Sequence, residues 1–329
     1  MPRVRVTLDG SGHGAADPAA IAVSREGTWV YVALAGSNQV AQVERSPGRA
    51  EEPAAATLGH SEGVEVVSVG RNPVALALSP DGTTLATANA MDDSLTLIDA
   101  RRFEVAARIA VGPPRAERTA AQRGEAWFVD ASLSQDRWMS CSTCHTLGHT
   151  ASLQFDTLGD GGYGAAKNTP SLLGNHDTPP YGWTGRFARI EDQVAQSLST
   201  SLRGRGAGPE LVADLSAYLR SLPAPPPLRR ADDPLAQHGA RVFQERKCDR
   251  CHAGPGFTTV GVKDVGLDDG AGGHRAFNPP SLRGVGWSAP YFHDGRATDL
   301  DAVLLDHPRG SRELPADERA ALRAYLESL

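Results

Sequence analysis

Cys141-Ser142-Thr143-Cys144-His145 recurs as Cys248-Asp249-Arg250-Cys251-His252, and these ten residues decide how the rest of the chain is read. In C-x-x-C-H the two thiols form thioethers to a porphyrin and the adjacent histidine ligates its iron, so the pattern attaches c-type haem. The chain holds four cysteines, and the two motifs use all of them. With ten histidines in 329 residues, a histidine directly after a given cysteine pair is roughly a 3% accident, and two such accidents are improbable. The competing reading is a zinc knot. Zinc ribbons separate their cysteine pairs by about 15–20 residues, whereas these stand 107 apart and each carries its own histidine.

A chain of 329 residues has room for two or three cored domains. A formal charge of −6 and the lack of a basic stripe argue against a nucleic-acid partner. No apolar run approaches a membrane span; Pro73-Val-Ala-Leu-Ala-Leu78 is about the longest. Cysteines used only for haem attachment fit the periplasm, where c-type maturation takes place. Met1-Pro2-Arg3-Val4-Arg5-Val6 shows no apolar signal region. The expectation is a periplasmic protein whose given start is incomplete or misassigned.

Residues 1–115 read as β-structure and repeat. Pro18–Glu44 aligns without gaps to Pro73–Asp99, with Ala20-Ile-Ala-Val-Ser24 on Ala75-Leu-Ala-Leu-Ser79 and Glu26-Gly27 on Asp81-Gly82. Acidic-Gly turns between alternating strands are hairpin signals. Phe103–Val111 with Gly112 matches Val64–Gly70 as a closing strand. Each unit resembles a blade of YVTN-type β-propellers, most closely in Ser79-Pro80-Asp81-Gly82. Propellers close with about four to eight blades, and about two are present. Pro113-Pro114 and the charged stretch to Arg123 read as a linker.

Beyond it the pattern turns to helix and loop, in two homologous units assigned to 116–226 and 227–329. Each motif follows an amphipathic lead-in, Gly124–Phe128 or Gly239–Phe243. Each unit closes in an apolar-periodic helix, with Leu211, Leu215, Tyr218, Leu219 and Leu222 or with Leu322, Tyr325, Leu326 and Leu329. Pro170-Ser-Leu-Leu-Gly174 aligns with Pro280-Ser-Leu-Arg-Gly284 at an offset of 110, and Pro180-Tyr181 and Gly185-Arg186 align with Pro290-Tyr291 and Gly295-Arg296. The expected architecture is therefore multidomain: a partial all-β propeller of about two blades, then two tandem all-α cytochrome c domains.

The loops of residues 120–329 resemble bacterial di-haem cytochrome c peroxidases. Lys167-Asn168-Thr-Pro-Ser-Leu172, Trp183-Thr-Gly-Arg-Phe187 and Ile190-Glu-Asp-Gln193 are similar to the first half of that family, and Ala289-Pro-Tyr-Phe-His-Asp-Gly-Arg296 to the second. The superfamily includes the methylamine-dehydrogenase maturation enzyme, and the propeller fusion resembles its hybrid members. The resemblance implies a di-haem oxidoreductase. Electrons from a small cytochrome or cupredoxin-type donor would enter at the C-terminal haem, and peroxide would be reduced, or a protein or small molecule oxidised, at the N-terminal haem. A non-catalytic electron-transfer cytochrome with a propeller docking module is the alternative.

His145 and His252 are the proximal ligands. The three methionines, Met1, Met91 and Met139, are misplaced for distal ligation. The resemblance puts the second haem's distal ligand seven residues after Leu300, at His307. The equivalent position of the first unit is Ser197, a poor iron ligand, which favours an open iron there, with His149 and His176 as competing ligands. The family match further implies that Trp183 lies between the haems and that Gln193 lies on the distal side of the first. It implies Ca²⁺ held by Asn168 with backbone oxygens near Asn278 and Pro280, and a hydrogen-bonding role for His293. The family glutamate ten residues beyond the glutamine is replaced by Arg203; Glu191, Asp192 and Glu210 are the carboxylates nearby.

Overall fold

The structure, a computed structural model, describes residues 14–45, 64–112, 117–307 and 314–329, the side chains of Asp160 and Ala271 excepted. The sequence start, Pro113-Pro114 and the segment after His307 lie outside the described residues.

The offset-55 repeat becomes two four-stranded antiparallel meanders. β1 (Pro18–Val23), β2 (Trp29–Leu34), β3 (Gln39–Glu44) and β4 (Val64–Ser68) form one sheet. β5 (Pro73–Leu78), β6 (Thr84–Asn89), β7 (Ser94–Asp99) and β8 (Glu104–Ala110) form the other. The turn between β5 and β6 shows why Asp-Gly is needed. Asp81 Oδ1 accepts from Ser79 Oγ at 2.6 Å and from the Thr83 amide at 3.1 Å, and Gly82 sits at φ 70°. A left-handed residue there is cheap only for glycine. Ala22 pairs with Tyr31, so Tyr31 and Ala22 share one face while Ile21 points to the other. Tyr31 and Val40 pack against Leu76, Leu78, Leu85 and Ile98 of the second sheet.

The helical region is built from α1 (Ala120–Phe128), α2 (Cys141–Cys144), α3 (Ile190–Gln196), α4 (Pro209–Ser221), α5 (Pro234–Glu245), α6 (Leu300–Asp306) and α7 (Ala316–Leu326). Thr119 starts α1 with a reciprocal capping box to Gln122, and Asp233 caps α5. Two two-residue ladders also occur, β9 (Gln154–Phe155) with β10 (Lys167–Asn168), and β11 (Lys263–Asp264) with β12 (Ala276–Phe277). Around the second motif, Val242, Phe243, Leu282, Leu300, Leu304, Leu322 and Leu326 form one apolar core. A Cβ on Gly239 would come within 1.9 Å of the Ala321 carbonyl, so only glycine lets α5 cross α7 this closely.

The sequence suggests boundaries at 115 and 226, but contacts divide the chain differently. Residues 1–143 with 202–205 form one compact unit, and 144–201 with 206–329 the other. The reasons are local. In the first unit the Ala131 amide donates to the Gly36 carbonyl (2.8 Å), and Arg71 pairs with Asp130 (3.1 Å), tying the lead-in segment to the sheets. In the second unit, the two repeats exchange hydrogen bonds through Asn168, Asn278 and Arg283.

Candidate haem and cation sites

Both motif histidines are held in the same way. His145 Nδ1 lies 3.1 Å from the Pro170 carbonyl, and His252 Nδ1 lies 3.1 Å from the Phe257 carbonyl. A ring nitrogen that donates to a carbonyl fixes the tautomer and leaves Nε2 as the lone-pair nitrogen, the usual support of a metal-bound histidine. Desolvation pushes both pKa values down to about 4. Neutral imidazoles at pH 7 are what iron ligation requires. Burial pushes the Cys248 thiol up to about 11. Among the described residues, no three His, Cys, Asp or Glu side chains gather as a metal cluster.

The repeats differ at the two matched positions expected to lie distal to these histidines. His307 is the C-cap of α6, its amide donating to the Val303 carbonyl at 2.8 Å. Its ring stands 6.5 Å from that of Phe292. At the equivalent position of the first repeat, Ser197 Oγ accepts from Gln193 Nε2 at 3.1 Å, where α3 passes into a π-turn. A Cβ on Gly182 would stand 3.0 Å from Gln193 Oε1, so the glycine before Trp183 leaves room for that amide.

The remaining candidates sort by their partners. His149 is held on both ring nitrogens, by Ser171 Oγ (2.7 Å) and the Trp287 carbonyl (2.9 Å). The buried Nδ1 of His176 has no hydrogen-bond partner. His293, 1% exposed, stacks on Phe277 at 4.0 Å and contacts the Asp268 carbonyl at 3.2 Å. Glu191 is ion-paired to Arg220 at 2.5 Å, which holds its carboxyl below the usual range. Arg203 is exposed and left-handed, at φ 52°. Glu210 lies in the exposed first turn of α4.

Asn168 and Asn278, 110 residues apart, form a pseudo-symmetric pair. Asn168 Nδ2 donates to the Pro290 carbonyl (2.5 Å) and Asn278 Nδ2 to the Pro180 carbonyl (2.5 Å), themselves 110 apart. Both Oδ1 atoms are buried without a hydrogen-bond partner. Trp183 joins them: its Nε1 donates to the Asn168 carbonyl, and its carbonyl accepts from the Asn278 amide, each at 2.8 Å. An unpartnered buried amide oxygen costs about 1–3 kcal/mol, and two such hard oxygens suit a cation such as Ca²⁺. The Asn278 side chain, rather than its backbone oxygen, is the feature the sequence did not single out. Sequence reasoning also gave no sign of an open cleft of about 570 Å³ lined by Thr184, Arg186, Val262, His274, Arg275 and Ala276.

With that geometry in view, comparisons with known proteins are direct. Residues 118–222 match the di-haem cytochrome c peroxidase family. The chain is 26% identical over 319 residues to the methylamine utilization protein MauG of Methylorubrum extorquens, covering 75% of this chain and 88% of that protein. It is 24% identical over 317 residues to the cytochrome c551 peroxidase of Pseudomonas aeruginosa, covering 78% and 91%. Among solved structures, a Kuenenia stuttgartiensis hydrazine synthase aligns with TM-score 0.55 and 25% identity, covering 66% of this chain and 89% of that one. A MauG-like protein associated with microbial copper homeostasis aligns with TM-score 0.50 and 19% identity, over 67% and 93%, a likeness of fold. These matches support the di-haem peroxidase and MauG family, and with it a haem oxidoreductase. No helix among the described residues is long and apolar enough to cross a membrane.

Proposed function

We propose that the chain is a periplasmic di-haem c-type oxidoreductase with two unequal centres. The observation that carries this is the asymmetry at the two matched positions: the second repeat offers an imidazole, His307, beside Phe292, whereas the first offers Ser197 hydrogen-bonded to Gln193. When bound through Cys141/Cys144 and Cys248/Cys251, the haems supply one-electron chemistry. A small redox protein would deliver electrons at the Cys248/Cys251 side, and peroxide or a protein or small-molecule substrate would be met at the Cys141/Cys144 side.

The chain's own residues set the terms of that chemistry. Pro170 and Phe257 orient the two proximal imidazoles. His307 closes the second centre, and the Gln193 amide is placed to hydrogen-bond a small oxidant in the first. Trp183 spans the link between the two asparagines. Asn168 and Asn278 would hold Ca²⁺ through Oδ1, tying the two repeats together. The N-terminal sheets act as two propeller blades. Leu76 and Leu78, which face the first sheet, are the repeat counterparts of Ile21 and Val23, which are 66% and 51% exposed on that sheet's other face. The sheets therefore stack front to back, as blades do.

A second reading, a non-catalytic electron-transfer cytochrome, is favoured by one observation. Arg203 stands where the family carboxylate is expected, and Glu191 is neutralised by Arg220. General acid–base catalysis contributes about 10²–10⁴-fold, so peroxide turnover below that of the relatives is expected. EPR of the haem-loaded protein separates the two readings. A high-spin signal beside a low-spin bis-histidine signal supports the enzyme. Two low-spin six-coordinate haems that bind neither cyanide nor peroxide would sink it.

A further inference from the structure

The first attachment motif is held from the β-region by one carboxylate. Asp17 Oδ2 accepts from Ser140 Oγ at 2.5 Å, and Asp17 Oδ1 accepts from Thr143 Oγ1 at 2.6 Å. Ser140 is fully buried and immediately precedes Cys141; Thr143 lies between the two cysteines of the motif. Thr143 Oγ1 in turn accepts from the Ser140 amide at 2.9 Å, so the three residues form a closed network at the start of α2. All three lie in the same compact unit.

The repeat shows that this is a departure from the sheet's own pattern. Asp17 precedes Pro18 as Asn72 precedes Pro73, and both residues are left-handed, at φ 54° and 56°. In each sheet the backbone carbonyl at this position accepts from the strand that follows, Ala35 on Asp17 and Ala90 on Asn72. The side chains then part ways. Asn72 Nδ2 donates to the Ala35 carbonyl, a use internal to the sheets. The first sheet has an acid instead, and both its oxygens leave the sheet for two hydroxyl donors of the haem segment. A carboxylate can accept from both, whereas an amide offers one acceptor oxygen. The approach is built in: a Cβ on Gly36 would stand 2.5 Å from Asp17 Oδ2.

We infer that Asp17 is a positioning residue for the first haem, fixing the Cys141–Cys144 turn and placing a negative charge beside it. It connects the β-region to one haem only, since nothing equivalent meets Cys248–Cys251 among the described residues. A negative charge near the iron favours the oxidised, more positive state. Asp17 therefore lowers the potential of the first haem relative to the same fold without it. The inference rests on the reading of Cys141–His145 as a haem attachment site.

The test is a potentiometric titration of the haem-loaded full chain, with both haems followed by absorbance and EPR. Asp17→Asn, which keeps one acceptor and removes the charge, is expected to raise the midpoint of the first haem and leave the second unmoved. Asp17→Ala, which also frees Ser140 and Thr143, is expected to broaden the first haem's EPR signal as well. Thr143→Val combined with Asp17→Asn is expected to shift the midpoint by less than the sum of the single shifts, because the two groups share one network. If Asp17→Asn leaves the first midpoint in place, or moves both haems alike, the inference is overturned. Haem stoichiometry of the wild type keeps the two questions apart: fewer than two covalent haems refutes the attachment reading, whatever Asp17 does.

Discussion

Residues 141–197 and 248–307 are two versions of one design, and their proximal halves are nearly interchangeable. Each has a half-buried histidine with Nδ1 on a backbone carbonyl at 3.1 Å. Each is followed by a proline-serine-leucine loop, and each repeat carries an asparagine with an orphaned Oδ1. The distal halves diverge, most sharply at His307 against Ser197, with Val303 in the place of Gln193. On the proposed reading, the two repeats share what would hold a haem and differ in what would decide its use. The sharpest way to break the comparison is to erase that difference. His307→Ala should convert the second haem from low-spin to high-spin and let it bind cyanide. An unchanged EPR spectrum would mean that His307 is only the cap of α6. The reciprocal Ser197→His should close the first haem and abolish peroxide binding, read by the loss of the high-spin signal.

The next effect concerns packing rather than iron. In the second repeat α5 meets α7 where Gly239 faces the Ala321 carbonyl at a distance no Cβ can occupy. Gly239→Ala should therefore force the helices apart. Overpacking of this kind costs about 1–3 kcal/mol, more where backbone is the obstacle. The measurement is the urea midpoint of the haem-loaded protein, with loss expected mainly around the second haem. A variant as stable as the wild type would show that α7 shifts freely, and would remove this crossing as a determinant of the second centre.

Much of this comparison was legible in the sequence, because its signals are local. C-x-x-C-H and the offsets of 55 and 110 need no tertiary information, and the sheets and most helices follow the repeat lengths. What stayed hidden depends on residues far apart meeting in space. Asp17 reaches Ser140 and Thr143 across more than a hundred residues, and no local pattern marks an Asp-Pro step as a haem contact. The sequence points to Asn278 only through its backbone, because only the fold reveals its side-chain oxygen as buried and without a hydrogen-bond partner, like that of Asn168. The boundary expected at 115 also gave way, since the Gly36–Ala131 bond and the Arg71–Asp130 pair extend the first unit through the lead-in helix. Composition shifts mark a linker, but not the contacts made after it.

The asparagine pair gives a third test, of intermediate size. If its two oxygens hold Ca²⁺, chelation by EGTA should lower the thermal midpoint and weaken communication between the haems. Asn168→Ala should mimic chelation and abolish any further response to it. Binding stabilises by RT ln(1 + [L]/Kd), about 2.7 kcal/mol at a hundredfold excess over Kd. Identical melting with and without EGTA, together with no bound calcium by elemental analysis, would leave the orphaned oxygens unexplained by a cation.

The smallest expected effect comes from an arginine by which the second repeat grips the first. Arg283 Nη1 lies 2.5 Å and Nη2 3.1 Å from the two Asp177 oxygens, and Nη1 also donates to the Gly174 carbonyl at 2.7 Å. The hydrogen bond from Arg283 holds the Asp177 carboxyl below its ordinary range. A depressed carboxyl contributes stability that is fully present above its unfolded pKa of about 4 and is lost as pH falls through the lower folded value. Asp177 is 47% exposed on its side chain, so the pair is worth about 0.2–1 kcal/mol. Arg283→Lys, which loses the bidentate fork, should lower stability by that amount at pH 7 and by less at pH 3, where the wild type has itself begun to lose the pair. Equal losses at both pH values would assign the effect to the Gly174 carbonyl contact and not to the charge. The grip between the repeats would then be a matter of backbone geometry, as it already is at Trp183.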